Sequence, residues 1–475
     1  MTTPMTGDDL PLLHTSIPGP KSVAMIDQLA TVECPAITAR RARRSKETGV
    51  PQDPIVWERA LGANVLDVDG NRYVDLTSAF AVAGLGHTHP DVAAAAAAQS
   101  QTLIHAMGDV YPSQAKIEFS RALAQITPEG LSHSILGLSG ASAIEAALKT
   151  AAIHTGKPGV LAFWGGYHGL SYGALGATAY RENFRAPFLS QLNPHVFHVP
   201  YPDPYHPPFG LPFDHAPYVG EAVLAHIRAM LEGPATGAQG IGAVLIEPLQ
   251  GRGGEIEPPP GFLAGLRALC DEFGLVLIFD EIYTGFARTG DMFACQHEGV
   301  MPDILCLGKA MGGGFPLSAA VGTEEVMGAW GNSSGEAIHT STFLGNPLGC
   351  AMGTAAIRAL QARDWPGIVR TRGAALKARM QQTADAFPQV IGCVRGRGFM
   401  LGWEFVRDAD TRAPHPSLAI ELMGHCRSHG YLVLPSGTHG HVLALSPPFT
   451  VTDEQLDGFF HLIHRYLGQY EAINE

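Results

Sequence analysis

Lys309 stands in "LCLGKAMGGGFPL" (305–317), between an apolar run and three consecutive glycines. An ammonium in such surroundings is costly unless it is paired, neutralised or used covalently. A lysine stem can also carry the charge back to solvent, so the segment alone leaves a surface lysine and a catalytic amine both open. Upstream, Asp280 follows Ile278 and Phe279 in the apolar stretch "LVLIFDE" (275–281). A carboxylate there calls for a cationic partner, and a protonated pyridine nitrogen would serve. In "SGASAIEAALKTA" (139–151), Ser139, Gly140, Ala141 and Ser142 open a helical pattern. Exposed backbone N–H groups and the dipole at a helix start suit a phosphate, and small side chains let it approach. "WGGYHGLSYGALGAT" (164–178) offers Tyr167 and His168 on a glycine-rich turn. Either ring could stack on a planar ligand, or both could be ordinary turn and core aromatics. A phosphate cradle, a stacking ring, a buried carboxylate and a buried lysine together describe a site for pyridoxal 5'-phosphate. Lys309 would form the Schiff base and Asp280 would keep the pyridinium protonated as an electron sink.

These residues need a scaffold that brings strand ends together. "VLAFWG" (160–165), "AVLIEP" (243–248), "LVLIFDE" (275–281) and "DILCLGK" (303–309) read as buried strands, and "GFLAGLRALCDEFG" (261–274) as an amphipathic helix between two of them. Strands spaced by helices predict an α/β fold with a mostly parallel central sheet, whose ligands lie beyond the carboxyl ends of the strands. Asp280, Glu281, Lys309 and the "GGYHG" turn fall at such ends. The alanine run 93–98 predicts a helix, and "VPYPDPYHPPFGLPFDHAPY" (199–218) an irregular loop. "NVLDVDGNRYVDL" predicts a hairpin with a type I′ turn at Asp69-Gly70. The strand-like "RGRGFMLGWEF" (395–405) and "GYLVLPSG…HVLALSPPF" (430–449), with a helix over 453–470, predict a smaller α+β domain. The expected division is an N-terminal arm and hairpin over 1–85, belonging to the small domain, a large cofactor domain over 86–345 and a C-terminal small domain over 346–475.

Composition narrows the class. The 475 residues are 46% hydrophobic, enough for more than one core, and the net charge of −13 argues against nucleic acid or an anionic membrane as partner. The basic run "RRARRSK" (40–46) reads as a solvated or subunit-contacting helix face. No run of 18 apolar residues and no secretory signal is present. Seven scattered cysteines without a C-x-x-C read as reduced thiols of a cytoplasmic protein.

"DEIYTGFARTG", "LGKAMGGGFPLSAAVG", "IEPLQGRGG…PPPGFL…LC", "GYHG" and "TFLGNPLGCA" resemble, in order and spacing, the class III (omega) aminotransferases, over most of the chain from "DVDGNRYVDL" to "SPPF". The resemblance implies a fold type I pyridoxal-phosphate enzyme, a homodimer with its active sites shared between subunits. It implies Lys309 as the cofactor lysine and Asp280 as partner of the ring nitrogen. Ile282 and Tyr167 would sandwich the ring. The Gly140 and Ala141 amides would hold the phosphate, joined by Thr342 from the second subunit, with Glu247 as polar support. Small-molecule amine and oxo substrates follow: an amino group moves between an amine or amino acid and an oxo acid, aldehyde or ketone. The alternative within the family is an amino-acid or amino-lactam racemase or epimerase.

The chain departs from the family where substrate carboxylates are bound. An arginine usual before the C-terminal "PP" is matched by Ala444, and the arginine that follows "YHG" in the 4-aminobutyrate type by Leu170. The glutamate that masks the first of these is matched by Arg252. Arg252 therefore reads as a candidate substrate-anion ligand or as a structural partner of Glu255 or Glu257. Tyr283 replaces a frequent glutamine near the cofactor's phenolic oxygen, and Phe80 matches a pocket-wall position.

Overall fold

The computed structural model describes residues 5–37, 43, 45–46, 54–332 and 337–474. Most of the basic run 40–46 lies outside the described residues. The chain divides into two compact units: Met1–His89, Gly373–Arg395 and Phe399–Glu475 form one, and Pro90–Arg372 with Gly396–Gly398 the other. The second boundary therefore falls at 372/373 rather than 345/346. The helix Pro347–Gln361 belongs to the larger unit because its glycines admit close neighbours. A Cβ at Gly349 would lie 2.6 Å from the Phe315 ring, and one at Gly353 2.6 Å from the Phe119 ring.

The larger unit is built on a seven-stranded sheet. In chain order its strands are β1 (Leu131–Gly137), β2 (Gly159–Phe163), β3 (Val196–Val199), β4 (Ile241–Ile246), β5 (Val276–Asp280), β6 (Ile304–Leu307) and β7 (Ser318–Thr323). Their order across the sheet is β1-β7-β6-β5-β4-β2-β3. Only β7 runs against its neighbours, pairing antiparallel with β1 and β6, while the other pairs are parallel. Strands β2, β4, β5 and β6 are buried along their whole length. Each therefore reads as a continuous apolar run, as a sheet covered on both faces requires. The helix Gly140–Thr155 packs on it through small residues, with Ala143, Ile144, Ala147 and Ala151 buried against Val160, Leu245, Ile278 and Ala320. Asp280 pairs with Cys306 in register, so β5 and β6 end side by side. Since β1 runs parallel to β6, its end at Gly137 also feeds Ser139 to this edge of the sheet.

The smaller unit holds two further sheets. One joins Trp57–Leu61, Asn64–Asp67 and Arg72–Asp75 to Tyr431–Leu432, and the other contains Met400–Asp408, Val442–Leu445 and Leu434–Ser436. The hairpin forms as expected, but its turn is not type I′. Type I′ needs positive φ at both central residues. Here Gly70 N donates to Asp67 O at 3.0 Å, and of residues 68–70 only Gly70, at φ 87°, is left-handed. This is a tight turn followed by a glycine bulge. The Asp67 carboxylate organises it by accepting from Asp69 N, Asn71 N and the Tyr73 hydroxyl. Trp403 is fully buried, stacks on Phe459 from the helix Asp453–Asn474 and donates to Met380 O at 2.9 Å.

Candidate active site

Beyond the carboxyl ends of the parallel strands lies a cavity of about 360 Å³. Its lining includes Ser139, Gly140, Ala141, Tyr167, His168, Glu247, Arg252, Asp280, Ile282, Tyr283 and Lys309, together with Gly169 and Leu170. All belong to the larger unit. Eleven of the thirteen positions inferred from sequence thus meet around one space.

Lys309 follows β6 and takes a left-handed backbone conformation, φ 44°. For a residue with a long side chain this is a strained position, costing about 1–3 kcal/mol, of the kind that surrounding structure holds at functional sites. Its ammonium lies over the Tyr283 ring, 4.4 Å from the centroid. Burial lowers the Lys309 pKa to about 8; Asp280 and Glu247 oppose the shift, while Arg252 and Arg288 add to it. The amine therefore gives up its proton at a pH well below that of a solvated lysine, which brings the neutral, nucleophilic form within reach near neutral pH.

Asp280 ends β5 and is 4% exposed. Its Oδ1 accepts from Ile282 N at 3.1 Å, and its Oδ2 lies 2.8 Å from His168 Nδ1. Burial alone would lower the His168 pKa, but the hydrogen bond and charge of Asp280 win and raise it. The sequence offered His168 as a stacking ring; the structure instead makes it the partner of Asp280, with its backbone N–H donating to Thr178 Oγ1. Glu247, at the end of β4, uses both oxygens as backbone anchors. Oε1 accepts from Tyr167 N at 2.8 Å and Oε2 from Gly251 N at 2.9 Å. Burial raises its pKa, against the lowering effect of His168.

Ser139 caps the helix Gly140–Thr155, its hydroxyl accepting from Ser142 N at 3.1 Å. The first residues of that helix line the cavity with almost no side-chain bulk. A Cβ on Gly140 would sit 2.9 Å from Ile282 Cδ1, and one on Gly308 3.3 Å from Ile282 Cγ2. Ile282 is thus gripped between two glycines. Arg252 rides a loop closed by paired backbone hydrogen bonds between Gln250 and Ile256, at 2.9 and 3.0 Å. Its guanidinium carbon lies 4.9 Å from the Tyr167 ring centroid and 5.0 Å from that of Tyr180. Glu257, one of the two acids near it in sequence, forms an ion pair with Arg397 at 2.5 Å.

Two expected residues are not among those that line the cavity. Thr342 is exposed on the surface of the larger unit. Phe80 belongs to the smaller unit and is 60% exposed on a turn of four left-handed residues, Ser78–Ala81. Asp75 pins that turn by accepting from Thr77 N and Ala79 N. Tyr180 and Arg288 were missed by the sequence reading: one supports Arg252, and the other acts on Lys309 by charge. Arg288 stands inside the motif "DEIYTGFARTG" (280–290), whereas no motif spacing points to Tyr180.

The family model for class III aminotransferases matches residues 46–467. A 4-aminobutyrate aminotransferase from Mycobacterium leprae (strain TN) is 34% identical over 463 residues, covering 96% of this chain and 98% of the relative. Two solved structures are similar throughout. An amine transaminase from an uncultivated Pseudomonas species, in its PLP-bound form, is 29% identical with a TM-score of 0.79, covering 87% of this chain and 94% of its own. The taurine:2-oxoglutarate aminotransferase from Bifidobacterium kashiwanohense, in complex with PLP and glutamate, is 26% identical with a TM-score of 0.81, covering 88% and 93%. The chain belongs to the class III aminotransferases. It is a pyridoxal-phosphate-dependent transaminase of fold type I, and the racemase alternative gives way to transamination. The residues present fit the cofactor. An amine of lowered pKa, a buried carboxylate and a helix start stripped of side chains line one cavity, and a Cβ at Gly140 or Gly169 would clash within it.

Proposed function

We propose that Lys309, Asp280 and the helix start at Ser139–Ala141 form the catalytic centre of this aminotransferase. The observation that carries the reading is the convergence of Lys309 and Asp280 on one cavity beside a bare helix N-terminus. When bound, pyridoxal phosphate supplies a carbonyl that takes up the amino group of one substrate and a ring that draws electrons from its Cα. Lys309 holds the cofactor and, once released, carries a proton at its Nζ between the substrate carbon and the cofactor. Asp280, braced by His168, holds a negative charge against the ring nitrogen. The amides of Gly140 and Ala141, with Ser139, bind the phosphate. Tyr167 and Ile282 would hold the ring, and Tyr283 would hydrogen-bond the phenolic oxygen or line the pocket with its ring. Glu247 fixes the backbone on which Tyr167 stands.

We further propose that the enzyme works as a cytoplasmic homodimer, with Thr342 completing the phosphate site of the second subunit and Phe80 forming part of the substrate wall. In support, Leu103, Ile104, Met107, Val110, Tyr111 and Phe343 leave large apolar side chains exposed. Asn346 Nδ2 and Thr340 Oγ1 tie the Thr342 segment to the 104–109 stretch through Ile104 O and Asp109 Oδ2. Contiguous apolar surface of this kind is what an obligate subunit interface covers. All seven cysteines are free thiols, in keeping with a reducing compartment. No described helix is long and apolar enough to cross a membrane.

The test is a panel of amines added to the purified holoenzyme without an acceptor. Loss of the cofactor's carbonyl-form absorbance, one equivalent per subunit, and its return on adding an oxo acid are the expected results. Exchange of the substrate's α-proton without that loss would overturn the reading. Sedimentation equilibrium checks the dimer, and mixing Lys309→Ala with Thr342→Ala subunits checks the shared site: the hybrid would recover one intact site.

A further inference from the structure

We propose that the face of Tyr283 is the docking place of the Lys309 ammonium whenever that nitrogen is not bonded to the cofactor, and that the ring steadies the lysine while it carries the proton taken from the substrate carbon. The inference rests on the pocket being the aminotransferase site, and it assigns a further residue to the proton transfer made there.

Three observations carry it. First, Lys309 Nζ lies over the Tyr283 ring, 4.4 Å from its centroid. The face of an aromatic ring carries partial negative charge and attracts a cation within about 6 Å, most strongly where water is scarce. Second, the nearby carboxylates are occupied. Asp280 and Glu247 favour the ammonium by charge. Their oxygens, however, are engaged by His168 Nδ1 and Ile282 N, and by Tyr167 N and Gly251 N. Third, both partners stand on fixed roots. Ile282 N donates to Asp280 Oδ1 at 3.1 Å and Gly285 N to Glu281 O at 3.0 Å, so the turn that carries Tyr283 is closed on both sides of it. Lys309 leaves the sheet at φ 44°, and Met311 N closes the backbone around it by donating to Gly308 O at 3.0 Å. The moving part is then the lysine stem, long and flexible enough to carry its nitrogen between cofactor and ring. The sign of the effect separates this role from space filling. A ring that holds the ammonium raises the pH at which the proton is lost, against the lowering by burial. A ring that only fills space keeps water out and so lowers that pH.

The test uses the full chain loaded with pyridoxamine phosphate, the amine form of the cofactor, which leaves Lys309 Nζ unbonded. Competitive acetylation at trace reagent, read on the peptide around residue 309, gives the titration midpoint of the lysine. Wild type is compared with Tyr283→Phe, Tyr283→Leu and Tyr283→Met. Asp280, Glu247, Arg252 and Arg288, whose charges act on the amine, are common to all four proteins. We expect the midpoint to fall by about 0.4–1.5 pH units in the two aliphatic variants and to stay near wild type in Tyr283→Phe, which keeps the face and loses the hydroxyl. Two aliphatic variants are used so that one poorly folded protein does not decide the result. A second assay holds an amine and its oxo product at a fixed ratio near pH 6, where the freed lysine is charged. The ratio of amine-form to carbonyl-form cofactor should drop about two- to thirtyfold in the aliphatic variants and not in Tyr283→Phe. Midpoints that hold steady or rise in both aliphatic variants would overturn the proposal. So would a fall in Tyr283→Phe as large as in Tyr283→Leu, which would give the effect to the hydroxyl. If no amine changes the cofactor absorbance, the transaminase reading fails, while the midpoints still decide the role of the ring.

Discussion

Asp280 Oδ2 lies 2.8 Å from His168 Nδ1, and both side chains are buried. The pair holds a carboxylate at the cavity floor in one orientation, since its other oxygen is taken by Ile282 N. His168 is the donor, and its raised pKa depends on Asp280. Asp280→Asn should therefore do two things. Activity should fall by about a hundredfold or more, the scale seen when a preorganised charge partner is removed. The His168 pKa should fall from its raised position, because burial then acts on it opposed by the charge of Glu247 and no longer by Asp280. Histidine NMR of wild type and mutant checks the second point, and a His168 midpoint unchanged in the mutant would sink the coupling.

Lys309→Ala should bind cofactor without forming a covalent link and should have no measurable turnover. Borohydride treatment followed by mass spectrometry of the peptide around residue 309 checks it. A cofactor adduct still formed at full yield on another lysine would remove Lys309 from its role.

The Lys309 amine should titrate near pH 8 in the cofactor-free protein. Burial penalises the ammonium, so the neutral form gains as pH rises through about 8, well below the range of a solvated lysine near 10.4. Competitive acetylation at trace reagent, read peptide by peptide, gives the midpoint. Arg252→Ala should move that midpoint upward, because the guanidinium is one of the charges that lower it. A midpoint close to that of exposed lysines would contradict the geometry.

Glu281 should matter to folding and not to binding. Its carboxylate is fully buried and accepts from Ala294 N, Cys295 N and Thr284 Oγ1. Glu281→Ala strands three donors, and at about 1–3 kcal/mol for each unsatisfied buried group the loss should exceed about 3 kcal/mol. Denaturant unfolding measures it. Activity per folded molecule should persist, because Glu281 does not line the cavity.

That contrast marks how far the sequence can be read. Asp280 and Glu281 both appeared as acids at a strand end, and alternation decides between them. Successive side chains on a strand point to opposite sides, so one faces the cavity and its neighbour staples the 294–295 turn. The four buried strands β2, β4, β5 and β6 were legible as apolar runs. Strands β1 and β3 were not, since "LSHSILG" and "VFHV" carry polar residues and sit at the sheet's two edges. Tyr180 could not be found from its motif, because its part in the site depends on a ring contact with Tyr167 across a turn. The His168–Asp280 pair spans 112 residues, and no local pattern encodes it.

The grip on Ile282 has a consequence for anyone who would redesign this enzyme. A methyl group added at Gly140 would press on Ile282 at 2.9 Å, and one added at Gly308 would touch it tightly at 3.3 Å. Ile282 thus occupies room that two missing side chains leave. The floor of the pocket is therefore shaped by three positions together. The wall is different: Leu170, Tyr283 and Arg252 line the cavity with whole side chains. Libraries that aim to change which amines are accepted should spend their diversity there and leave the three floor positions untouched.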